Sequence, residues 1–71
     1  MKYAVYTMTA GDWFEELFDT ERDAVIHADN QFEIQGYAKD SRITAYFVAR
    51  GEVDEDGAFD LDTADIIKEY K

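Results

Sequence analysis

The sequence predicts an α+β domain ordered β-β-α-β-β, with one helix packed on a mostly antiparallel four-stranded sheet. Three observations carry this. Two runs rich in aromatic and β-branched residues flank Gly11, as in a hairpin. Small and apolar residues after Thr20 recur at helical spacing. A long apolar run, Ile43 to Val53, ends at an acidic turn carrying Asp56-Gly57.

Lys2 to Thr9 is rich in Tyr, Val and Thr, which fit a pleated surface. Thr9-Ala10-Gly11-Asp12 is the turn, with Gly11 free to take positive φ. Trp13 to Phe18 resumes the aromatic pattern as the second strand. Thr20 then caps a helix whose first turn holds Glu21 and Asp23, where the helix dipole favours negative charge. Ala24, Val25, Ala28 and Phe32 form one narrow stripe, and the alanines allow close approach to a sheet. Ile26 and Ile34 fall off that stripe, and Gly36 is the stop. In the long strand, Ile43, Ala45, Phe47, Ala49 and Val53 alternate with Thr44, Tyr46, Val48, Arg50 and Glu52. Residues 64–70 are read as a fourth strand, because a lone helix of that length is marginal. The whole of 1–71 is one domain, without repeat, linker or low-complexity tract.

Composition narrows the function classes. Seventeen Asp and Glu against seven Lys and Arg give a formal charge of −10 on 71 residues. The five Tyr, five Phe and one Trp mark a chain that folds, because disordered acidic segments are poor in aromatics. Such a surface repels nucleic-acid phosphates and anionic membranes, so neither is an expected partner and a basic protein is. The absence of Cys excludes disulfides and thiolate metal sites. No run reaches the roughly 18 apolar residues of a membrane helix, and Met1 to Tyr6 lacks the core of a signal peptide. A cytoplasmic protein is the expectation.

Three stretches resemble a group of short acidic proteins of anaerobic gut bacteria, often found in mobile-element neighbourhoods. They are Phe18-Asp19-Thr20-Glu21, Arg42 to Ala49, and Asp65-Ile66-Ile67-Lys68-Glu69-Tyr70. The polar Gln35-Gly36 at the helix end departs from the bulkier apolar residue of that group. The resemblance implies size and layout and carries no activity.

Residues for catalysis are few. Nucleophilic chemistry needs an activated nucleophile, a base and an orienting group. The chain has one His, His27, expected in solvent on the helix, and one Ser, Ser41, in a turn. The reading is therefore no enzyme, no catalytic residue and no cofactor. The acidic segment from Glu52 to Asp65 partly matches a calcium loop, with Glu52, Asp54, Asp56, Gly57 and Asp60 in register. Thr63 falls where the bidentate carboxylate belongs, so no metal ligand is assigned.

What remains points to interaction. The strands carry apolar residues on both faces, whereas a sheet with one wet face alternates more cleanly. Either the C-terminal segment folds over the back or that face is an interface. Phe47 is expected to face the helix against Phe32, leaving Tyr46 and Val48 on the uncovered face. Partner-binding residues are accordingly expected at Tyr46, Val48, Asp54, Glu55, Asp56, Asp60 and Asp62. The function expected is a non-enzymatic acidic interaction module, binding a basic protein or a second copy as a homodimer. A charge-mimic inhibitor of a basic nucleic-acid-binding protein is the alternative, and a divalent-cation module comes third.

Overall fold

The computed structural model describes all 71 residues. The strands are β1 (Lys2–Thr9), β2 (Trp13–Phe18), β3 (Ile43–Gly51) and β4 (Asp65–Glu69), and the helix α1 (Glu21–Glu33) joins β2 to β3. They form one antiparallel sheet in the order β2-β1-β3-β4. The expected α+β class and β-β-α-β-β order are those observed. No helix is long and apolar enough to cross a membrane.

Local chemistry places α1 as its sequence implies. The Thr20 hydroxyl accepts from the Asp23 N–H at 3.2 Å and caps the first turn. Ala24 and Ala28 are fully buried, so the backbone lies close to the sheet. At the other end Ile34 and Gln35 donate to the Asn30 carbonyl, and Gly36 turns the chain with φ of 87°.

The two sheet faces hold two cores. Under α1, Val5, Ile43, Tyr46 and Val48 pack with Ala24 and Ala28, flanked by Phe32, Tyr37 and Tyr70. On the opposite, back face, Ala4, Tyr6, Phe47 and Ala49 pack beneath Phe59, with Val53, Leu61 and Ala64 beside it. Residues 52–64 thus fold over the back of the sheet. Asp54 sets their course by accepting from the N–H groups of Asp56 and Ala58, Gly57 adopts φ of 83°, and Val53 bridges Phe59.

The facing of β3 is therefore the reverse of the expected one. Tyr46 and Val48 are fully buried beneath α1, and Phe32 stacks on Tyr46 with ring centroids 6.0 Å apart. Phe47 points to the back, stacked on Tyr6 at 5.4 Å. β3 meets β1 with Val48 beside Val5 and Phe47 beside Tyr6, which fixes that facing, and an extra residue then brings Ile43 to the helix side. Thr9 pairs with Ile43 and Met8 with Ala45, so Thr44 is bulged out, its hydroxyl donating to the Met8 carbonyl. That bulge puts Ile43 on the same face as Tyr46. A second bulge lies at Ile67, between the pairs Val48 with Lys68 and Ala49 with Ile66. It turns Ile67 into the helix-side core while Lys68 and the Tyr70 hydroxyl both reach the Asp29 carboxylate, at 3.0 and 2.6 Å. Those two donors, Tyr70 foremost, hold Asp29 below the usual carboxylate range.

Candidate interaction surface

β2 is an edge strand, paired only with β1. Its turn is fixed by the Thr9 N–H donating to the Asp12 carbonyl at 2.8 Å and by the Asp12 carboxylate accepting from the Trp13 N–H at 2.9 Å. The pairing of Tyr6 with Glu15 and Val5 with Glu16 sorts its side chains. Trp13, Glu15 and Leu17 share the back face with Tyr6, and Phe14, Glu16 and Phe18 share the helix side with Val5.

The covering segment 52–64 sits over β1 and β3, and β2 stays open. Trp13 is 59% exposed, Phe14 57% and Leu17 40%. Glu15, between Trp13 and Leu17, is already occupied, because it accepts from the Tyr6 hydroxyl at 2.6 Å. Burial first and that carboxylate second push the Tyr6 phenol well above its ordinary range. The back of β2 is consequently apolar, with Trp13 leaning on Tyr6 at 6.0 Å.

The helix side of the same strand is different. A groove of about 760 Å³ opens between the β1–β2 hairpin, the end of α1 and the loop before β3. Phe14 and Glu16 form one wall; Gln31, Tyr37 and Arg42 form the other. Arg42 is held back by a two-pronged bond to Asp40, at 3.0 and 2.8 Å, which lowers the Asp40 carboxyl to about 2. The His27 side chain is only 29% exposed, contrary to the solvated position expected of it. It packs against the Phe18 ring at 5.0 Å, and its Nε2 lies 3.1 Å from Glu16 without hydrogen-bond alignment. β2 leans over that face of the helix, which helical spacing by itself does not reveal.

The residues expected to bind a partner are dispersed. Tyr46 and Val48 are core residues with no exposed surface, so they cannot meet a partner in this conformation. Asp54 serves the turn, and Asp60 accepts from the Asp62 N–H and the Thr63 hydroxyl. Glu55, Asp56 and Asp62 are exposed on the covering segment. No three acidic or imidazole side chains converge on a common point, so the calcium-loop register does not fold into a coordination shell. Ser41 is exposed in the loop before β3.

Trp13, Phe14 and Leu17 lie outside the partner-binding residues expected from the sequence. The signal for them is a strand apolar on both faces that contains no Lys, Arg or Pro, the residues that commonly blunt an edge. Comparison of the chain with protein-family models, with curated proteins and with solved structures gives no significant match.

Proposed function

We propose that this chain is a protein-interaction module, with no catalytic step of its own, that engages its partner through β2. The observation that carries the reading is the clustering of Trp13, Phe14 and Leu17 on one free sheet edge of a strongly acidic protein. Large apolar side chains grouped at an edge are costly to leave in water, and Trp supplies much of the binding energy where interfaces form. The aromatic surface is thus moved from β3, where the sequence suggested it, to β2.

Capture from the native host with the full chain as bait tests this. The wild type should retain a discrete partner that Trp13→Ser with Leu17→Ser loses. Because Trp13 is mostly exposed and Leu17 lies at the open edge, outside both buried cores, the double variant should keep its circular dichroism spectrum and cooperative melting. An unchanged capture profile from the folded variant would sink the proposal.

A further inference from the structure

Resting on that reading, we propose that the free edge of β2 takes up an extended segment of a basic partner as a fifth strand. Its alternate side chains are apolar on the back and cationic on the helix side.

The two edges of the sheet differ in a way that points to β2. β4 is short, is bulged at Ile67 and carries Lys68, which is tied down to Asp29. Those are the features that discourage a further strand from adding. β2 is one residue longer, has no bulge and carries no Lys. It pairs with β1 through six consecutive partners, Tyr3 with Phe18 to Met8 with Trp13, without a register shift. A regular strand of this kind presents unpaired N–H and C=O groups in a straight row, the template used in strand addition.

The side chains of β2 specify the pattern of the incoming strand. Neighbouring strands share their pleat, so each residue of an added strand lies on one face beside its counterpart. On the back it meets Trp13 and Leu17, with Glu15 between them already bound to Tyr6. Apolar residues fit there. On the helix side it meets Phe14 and Glu16 at the mouth of the groove, where Glu16 is 57% exposed. Lysine or arginine fits there, with its stem along the Phe14 ring and its charge towards Glu16.

Charge also disfavours the simplest rival, a second copy. No Lys or Arg lies between Tyr3 and Glu21, and Asp12, Glu15, Glu16 and Asp19 all fall in that stretch. Lys2 pairs with Asp19 and His27 sits beside Glu16; Arg42 is taken by Asp40. Two-fold antiparallel pairing of β2 with itself keeps the two faces separate. Centring it on the strand sets Glu15 against its own copy or Glu16 against its own copy, and like charges directly opposite are destabilising. The net acidity of this stretch, with Glu16 exposed at the edge, favours a basic strand.

The probe is an acetylated peptide of alternating lysine and valine, as long as β2, titrated into the ¹⁵N-labelled full chain. Amide shifts should concentrate at residues 13–18, with hydrogen exchange slowed there. A peptide with glutamate in place of lysine should bind at least about tenfold more weakly, and Glu16→Lys should narrow that gap. The fully N-methylated lysine–valine peptide, which cannot donate to the edge, should not bind. Binding that survives N-methylation, shifts centred away from β2, or no binding by the lysine–valine peptide at millimolar concentration would overturn the proposal. So would slowed exchange of residues 13–18 that grows with protein concentration alone, which would give the edge to a second copy. Loss of host capture by the Trp13 and Leu17 variant is read separately. A failed peptide beside a successful capture test removes the added strand and leaves the apolar surface.

Discussion

Replacing Phe59 with alanine asks whether residues 52–64 are a surface loop or one wall of a core. Phe59 is only 8% exposed and sits over Tyr6, with ring centroids 6.0 Å apart. A buried Phe removes on the order of 200 Å² from water. At about 25 cal/mol per Å² that is worth roughly 4–5 kcal/mol, of which alanine recovers a part. We therefore predict a loss of about 3–4 kcal/mol, within the range of roughly 3–5 kcal/mol for large-to-small aromatic truncations. A chain of 71 residues has a total stability of roughly 4–11 kcal/mol. The variant should sit near the edge of folding, its melting temperature down by roughly 15–30 °C. Urea unfolding followed by circular dichroism gives the number, and Phe59→Leu serves as the control, expected to cost less than about 1.5 kcal/mol. A Phe59→Ala loss below about 1 kcal/mol would mean the segment merely rests on the sheet, and the two-core description would be wrong.

Three further outcomes are expected. Tyr46→Ser with Val48→Thr strikes two fully buried side chains and should cost more than about 4 kcal/mol, unfolding the domain in a urea titration. Gly51→Ala would place a Cβ 3.0 Å from the Ala64 Cβ and 3.1 Å from Phe59, so it should cost about 1–3 kcal/mol, and less in a Phe59→Ala background, as a double-mutant cycle would read. The phenols of Tyr6, Tyr46 and Tyr70 are all raised above their ordinary value of 10.0, with burial the first cause in each. The unfolded chain gives up these protons first, so their stabilisation is complete below pH 10 and is lost as pH climbs beyond it. Tyrosinate absorbance should therefore rise together with unfolding; ionisation of all three in a still-folded chain would contradict it.

Much of the fold is legible in the residues because local chemistry and tertiary placement agree. Thr20 caps, Ala24 and Ala28 mark the close-packed stripe, Gly36 follows the helix end, and the C-terminal residues pair as a strand. Positive φ falls at Gly36 and Gly57 and not at Gly11, where the turn sequence suggested it. The facing of β3 was not legible, for two physical reasons. Both of its faces are apolar, so alternation alone cannot say which lies under the helix. The bulge at Thr44 then joins Ile43 to the set that strict alternation assigns to the other side. Phe59 escaped notice because it stands among Asp and Gly, where composition reads as a turn, although its ring completes a core. The candidate surface was visible as an aromatic run but not as a surface. Exposure of Trp13 depends on β2 being outermost, and strand order is set by the whole chain.

The sheet order also governs how the chain can reach its fold. β1, near the amino terminus, has β2 on one side and β3 on the other, and its pairs with β3 run from Thr9 with Ile43 to Lys2 with Gly51. Every contact that makes β1 a central strand therefore waits for a segment far along the chain. During synthesis the β1–β2 hairpin and α1 emerge first, and a two-stranded hairpin is marginal in water. Neither face of the hairpin has its lasting cover until β3 arrives, since Tyr46 and Val48 complete one core and Phe47 the other. Such non-local closure slows folding and makes it all-or-none. A chain cut before Ile43 should accordingly behave as an unfolded, aggregation-prone fragment with its aromatic hairpin bare.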